Sequence, residues 1–148
     1  ASAGTAVQEA DLALKTAALR GVDVRVLVPL PRNNDSRLVS FAARSYYDEC
    51  LEAGCRIYEY LPGMLHAKYL LVDHTLAAIG SANMDVRSFY INYEVTAMLY
   101  DRGVTDQLAE VFRGQLAHAL EVRREMRRRL PLTQRLGEAF ARMLSPLL

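Results

Sequence analysis

Residues 66 to 94 read HAKYLLVDHTLAAIGSANMDVRSFYINYE. Within them an imidazole (His66), an ammonium (Lys68), a carboxylate (Asp73), a glycine (Gly80), a hydroxyl (Ser81) and a carboxamide (Asn83) stand at the spacing H-x-K-x4-D-x6-G-S-x-N, and a second carboxylate, Glu94, follows eleven residues after Asn83. This set suits a phosphoryl group. Lys68 brings a compact positive charge, and Ser81 and Asn83 bring neutral hydrogen bonds to non-bridging oxygens. Stabilising the charge spread over those oxygens is the main task of phosphoryl transfer. His66 can attack phosphorus as a covalent nucleophile if an acceptor holds its other nitrogen and fixes the tautomer, and Glu94 is the candidate acceptor. Metal chemistry fits poorly: His66 and Lys68 are not a ligand pair, and no second His or Cys sits at ligand spacing. No metal and no cofactor is therefore expected.

The elements that must position these groups are short strands. YLLV and LAAI are apolar runs on either side of Asp73-His74-Thr75, which suits two strands joined by a turn. Side chains alternate between faces along a strand, so His66 and Lys68 share a face and Asp73 points away from them. Asp73 belongs to the catalytic set by its place in the spacing, but its parity makes it a turn carboxylate first. Ser81 and Asn83 again share a parity, just past Gly80, which is expected to relax the backbone. Glu94 lies in a third strand-like run, INYEVTAML, able to return beside the first. A strand-borne histidine is usually packed or solvated when taken alone; the joint spacing separates His66 from that reading. His74 reads as an exposed turn residue and His118 as a helix-surface group, and neither is given a role.

Around the motif the chain alternates helix and strand. Ala10 to Leu19 is helix-like and stops at Gly21. Val24 to Pro29 is an apolar β-branched run closed by proline. Asp35 or Ser36 can cap a helix that runs to about Ala53 and ends at Gly54. CRIYEY reads as a strand, Val104 to about Arg129 as one long helix broken at Pro131, and Gln134 to Leu144 as a short one. This order predicts an α/β fold, a mixed sheet flanked by helices, in a single domain covering residues 1–148. An open α/β unit enters with a strand before its first helix; residues 1 to 8 make a poor one, so that strand reads as missing.

With a net charge of +1, overall charge implies no nucleic-acid partner. Cys50 and Cys55 are not a C-x-x-C pair and read as buried thiols of a reducing compartment. There is no apolar run of about 18 residues to span a membrane, and ASAGTAVQEADLAL lacks the basic region of a signal peptide.

The motif spacing resembles the HKD motif of the phospholipase D superfamily, whose members break or exchange phosphodiester bonds. The outer segments GVDVRVLVP, DSRLVSFAARSYYDECLEAGCRIYEY, SANMDVRSFYINYEV and ARMLSPLL resemble the C-terminal half of bacterial cardiolipin synthases. The resemblance implies a phospholipase D-like half-domain that needs a second HKD half, in cis or by homodimerisation. It implies a phosphohistidine on one half, a histidine of the other half protonating the leaving alcohol, and transfer of a phosphatidyl group between phosphatidylglycerol molecules without a metal. It also implies a peripheral place on the bacterial cytoplasmic membrane. Two other readings stay open on the sequence: a homodimeric phosphodiesterase or nuclease, and a partial domain without catalysis.

Residues 121–148 read as a basic, apolar helical tail. They hold seven arginines against three glutamates, a net of +4, and five of the arginines fall within Arg123 to Arg129. Leu130, Leu132, Leu136, Phe140, Met143, Leu144, Leu147 and Leu148 accompany them. Basic groups beside apolar ones suit an anionic membrane surface; a packed and solvated helix end is the plain alternative.

Overall fold

The computed structural model describes residues 5–33, 36–84, 88 and 91–144. Asp35, Leu147 and Leu148, which entered the capping and tail expectations, lie outside them.

The first half is built on a parallel strand pair. Strands β1 (Arg25–Pro29) and β2 (Arg56–Tyr60) run side by side with Val26 opposite Ile57 and Leu27 opposite Tyr58. Parallel neighbours need a crossover, supplied by α2 (Arg37–Arg44) and α3 (Tyr47–Ala53). The Ser36 hydroxyl caps α2 by accepting the Val39 N–H at 3.3 Å. The single helix expected here is two, parted at Ser45 and Tyr46. Gly54 ends α3 in the left-handed region at φ 98, and the Cys55 N–H returns to the Cys50 carbonyl at 2.9 Å; a side chain would strain that turn. Helix α1 (Thr5–Leu19) covers the pair, setting Leu14, Ala17 and Ala18 against a core of Val24, Tyr47, Cys50, Cys55, Ile57 and Val122. Burying a side chain such as Ile57 contributes about 1.5–3 kcal/mol. Both cysteines are free and buried, and burial pushes the Cys50 thiol well up from its usual range.

The third strand of this sheet corrects the long-helix expectation. Helix α4 (Arg102–Leu116), capped by the Asp101 carboxylate on the Val104 N–H at 2.8 Å, ends thirteen residues short of Arg129. His118 lies in the turn that follows, not on a helix. Strand β6 (Ala119–Val122) then pairs antiparallel with β2, Ile57 opposite Val122 and Tyr58 opposite Glu121. The free edge of β2 offers backbone partners, Val122 is buried, and Glu121 accepts from Arg56 Nε at 2.9 Å. Those tertiary gains override the helical pattern of the local sequence.

The second sheet is the antiparallel meander β3 (Tyr69–Val72), β4 (Leu76–Gly80) and β5 (Thr96–Leu99), in that order. One face packs on α4: Tyr69 meets Phe112 edge-on at 6.3 Å and donates its hydroxyl to Gln115 at 2.7 Å, and Ala77 is fully buried. The architecture is therefore the expected α/β type with flanking helices, its strands divided between one mixed and one antiparallel sheet. Among the described residues no helix is long and apolar enough to cross a membrane.

The tail is folded into the domain. Helix α5 (Arg124–Arg128) turns Arg127 inward, where its guanidinium bonds both oxygens of Asp48 (2.9 and 3.0 Å) and both of Glu138 (3.1 and 2.7 Å). Helix α6 (Leu132–Leu144) carries Glu138 and lies against α2. Arg124 pairs with Glu52 at 3.0 Å, and Arg142 pairs with Glu49 while stacking over the Tyr46 ring at 4.4 Å. Of the basic cluster read as one outward surface, Arg127 is buried and Arg124, though exposed, is paired with Glu52. A guanidinium surrounded by carboxylates on α3 and α6 is held by charge complementarity that sequence spacing does not display.

Candidate active site

His66, Lys68, Gly80 and Ser81 lie at one end of the second sheet, and Asp73 lies in the β3–β4 turn at the other. His66 and Lys68 lie on the extended chain just before β3, and the Lys68 carbonyl already accepts the Gly80 N–H at 3.1 Å, so the pairing starts at Lys68. The strand parity expected for His66 and Lys68 holds in its outcome: Lys68 Nζ stands 2.7 Å from His66 Nε2. An ammonium has only hydrogens to give, so Nε2 accepts and the ring proton of neutral His66 sits on Nδ1. His66 is exposed and Lys68 half-buried.

Gly80 has a different reason from the one expected. Its φ is not in the left-handed region. What it gives is room: a Cβ there would lie 2.6 Å from Thr96 Oγ1 and 2.9 Å from Thr96 Cα. Only glycine lets β5 approach β4 at this end, and that approach brings Glu94 to Ser81. The Ser81 hydroxyl donates to Glu94 Oε2 and accepts the Val95 N–H at 3.0 Å, while the Ser81 N–H reaches the Val95 carbonyl at 3.0 Å. Asn92 donates to the other Glu94 oxygen at 3.4 Å. The bonds from Ser81 and Ser88, with the nearby Lys68 charge, hold the Glu94 carboxyl below its usual range.

Glu94 thus faces Ser81, and among the described residues no hydrogen bond joins it to His66, whose partner is Lys68. Each Glu94 oxygen is taken by a donor nearer in the fold. Ser81 likewise has its one hydrogen committed to Glu94 and none left for a phosphate oxygen while that bond stands. Asn83 is exposed; its backbone N–H is tied to the Ser88 hydroxyl at 3.0 Å and its amide is open to a ligand among the described residues. Asp73 sits in the β3–β4 turn at φ 49, a left-handed position that aspartate tolerates. It lies seven residues from His66, about 20 Å along an extended chain, and is exposed. His74, exposed in the same turn, pairs with Asp106 of α4. Sequence reasoning missed Ser88, a buried residue whose hydroxyl steadies both Asn83 and Glu94. A serine five residues past Asn83 gave no signal of its own.

The face that carries Lys68 is otherwise apolar. Leu70 and Met98 lie on either side of Ala78, and all three share the parity of Lys68. Leu70, Val72, Met98 and Tyr100 are exposed there.

The family model described as "Cardiolipin synthase, PLD-like domain" matches residues 6–116. The chain is 48% identical over 136 residues to a cardiolipin synthase of Geobacillus sp. (strain WCH70), 47% to cardiolipin synthase 2 of Bacillus anthracis, and 44% to cardiolipin synthase A of Pseudomonas putida (strain F1). Each match covers 92% of this chain and 26–28% of the relative, so the chain spans about a quarter of the length of the curated relatives it matches. The match over residues 6–116 takes in the whole span from His66 to Glu94, and the chain belongs to the cardiolipin synthase family of phospholipase D-like domains.

Proposed function

We propose that this chain is one motif-bearing half of a phosphatidyltransferase of the cardiolipin synthase type, which moves a phosphatidyl group from one phosphatidylglycerol to the hydroxyl of another and releases glycerol. The observation that carries the reading is the 2.7 Å contact between Lys68 Nζ and His66 Nε2. Lys68 caps the lone pair of the nucleophile while the site is empty. An arriving phosphate draws the ammonium to its oxygens and frees Nε2 for attack. The new N–P bond forms as the P–O bond to glycerol breaks, and the departing alkoxide takes a proton from the acid of a second motif. The hydroxyl of a second phosphatidylglycerol then attacks phosphorus, gives its proton back to that base, and releases His66. Lys68 and Asn83 hold the phosphoryl oxygens. Ser81 and Glu94 position the β4–β5 end, and a shift of Ser81 would add a third donor to phosphate.

The second motif comes from another HKD half, in the same polypeptide or a second copy. The exposed apolar face of Leu70, Val72, Met98 and Tyr100, next to Lys68, suits that contact. Substrate and product are lipids, so the domain works peripherally at the bacterial cytoplasmic membrane.

The test is cardiolipin formation from phosphatidylglycerol vesicles, read alongside size-exclusion chromatography, with and without a separate motif-bearing half. The chain should be inactive as a monomer and gain turnover with the second half; chelators should have no effect. Robust turnover by a strict monomer would overturn the two-half arrangement. Hydrolysis of DNA or a simple phosphodiester by a dimer, without lipid transfer, would replace the reading by a nuclease.

A further inference from the structure

Helix α6 has two faces with opposite fates. Gly137, Glu138 and Ala141 turn inward, and a Cβ on Gly137 would lie 3.7 Å from the Phe41 ring of α2. Leu132, Leu136, Phe140 and Met143 are exposed at 70, 61, 61 and 77%. At 100° per residue these four fall in one arc of about 80°. Arg135 borders that arc. With Arg124, Arg127 and Arg128 it also lines a cleft of about 220 Å³ facing Asp48 and Glu52 of α3. Arg124 and Arg127 are neutralised by those carboxylates and by Glu138. Arg123, Arg128, Arg129 and Arg135 have no ion pair among the described residues, against one unpaired carboxylate of the same stretch, Glu125.

We propose that this surface docks on an anionic lipid bilayer, the α6 stripe sinking into the headgroup–acyl boundary while Arg128 and Arg135 hold lipid phosphates at the cleft. Charge selects the occupant. A second copy seated on α6 would bring two sets of unpaired arginines to one contact, whereas an anionic bilayer neutralises each set. The basic element is not the Arg123–Arg129 run as such, since Arg127 is spent inside; it is the free arginines that rim the α6 stripe. The inference deepens the membrane association proposed above and rests on that reading for its lipid class, but it requires no turnover.

The chain has no tryptophan, so Phe140→Trp installs a single reporter at an exposed position. Its emission should shift to the blue on phosphatidylglycerol vesicles and much less on phosphatidylcholine vesicles, while Tyr100→Trp on the motif-sheet face should shift less. Arg128→Ala with Arg135→Ala should weaken partitioning onto phosphatidylglycerol roughly twenty-five-fold at low salt, about fivefold per arginine. That difference should close in about 1 M salt, where screening shortens to about 3 Å. Leu136→Gln should weaken binding at both salt concentrations. All these side chains are solvent-facing, so thermal melts should match the parent and certify the fold. Unchanged Phe140→Trp emission on sedimenting vesicles, full binding by the double arginine variant, or a Leu136→Gln variant that alters oligomeric state but not vesicle binding would each overturn the proposal. His66→Asn separates the two readings: it should bind vesicles like the parent. If a parent supplied with a second half binds but transfers nothing, the enzymatic reading fails and the docking surface stands.

Discussion

The motif end and the arginine clasp use the same kinds of side chain to opposite ends. At the motif end Lys68 and His66 meet each other in solvent reach, and the Asn83 amide has no partner among the described residues. In the clasp Arg127 is 5% exposed and spends its guanidinium on Asp48, Glu138 and the Arg44 carbonyl, with Glu138 itself 2% exposed. Burial works against the Arg127 charge, yet the bonds to Asp48 and Glu138 outweigh it and hold its pKa above the usual arginine value. A charge saturated by protein partners holds elements together and has nothing left for a ligand. A charge left under-coordinated near solvent costs little in the folded state and is free to bind. Position in the fold, not residue type, decides which arginine or lysine is functional.

The sharpest way to break this contrast is to exchange the consequences. His66→Asn, supplied with a second motif-bearing half, should lose phosphatidyl transfer by at least about a thousandfold, since a nucleophile has no substitute, while its melting curve stays on that of the parent. A variant that keeps turnover would remove His66 from the chemistry. Arg127→Leu should do the reverse to stability. It leaves the buried Glu138 carboxylate with only the Gln134 amide at 3.3 Å and Arg44 Nε at 3.9 Å, a change that costs about 3–5 kcal/mol and is readable by urea unfolding at pH 7. A loss below about 1 kcal/mol would show that the clasp is not holding α5 and α6 to the body.

The contrast also explains what could be read from the sequence. The His66–Lys68 contact was legible because it is local: the two lie just before β3, two residues apart, and Gly80 at the end of β4 bonds back to the Lys68 carbonyl. The clasp was not legible, since Asp48 and Glu138 lie 79 and 11 residues from Arg127. Nothing in the Arg123–Arg129 run marks the one side chain that faces inward. Strand β6 was hidden for a related reason. Ala119 and Val122 continue a helical spacing from Val111 and Gln115, and no glycine or proline separates Gln115 from Val122; only pairing with β2 makes them a strand. The Glu94 partner was misplaced because a strand returning beside the first does not fix which side chain its carboxylate meets, and the Ser81 hydroxyl takes it once Gly80 lets the strands meet.

That role of Gly80 gives the next test. Gly80→Ala places a methyl carbon 2.9 Å from the Thr96 Cα, a backbone atom that cannot step aside without opening β4 from β5. Overpacking of this kind costs about 1–3 kcal/mol. Turnover should fall with stability, as the Ser81–Glu94 contact lies one residue beyond the clash. A variant with parental melting and parental rate would mean that the close approach of β5 is not needed.

The smallest expected effect is the most specific to the motif end. Glu94 has its pKa lowered in the folded protein, first by the Ser81 hydroxyl. A depressed carboxyl contributes order above its unfolded value, near 4.5, and loses that contribution as pH falls through the lower folded value. The Ser81–Glu94 lock should therefore be intact at neutral pH and released only in acid. Ser81→Ala removes the leading cause, so the Glu94 carboxyl carbon, followed by NMR titration, should move its midpoint up toward 4.5. Asp48, whose value is lowered by Arg127, should be unmoved in the same spectra. A Glu94 midpoint that ignores Ser81→Ala would detach Ser81 from Glu94 and return the carboxylate to the role of a partner for His66.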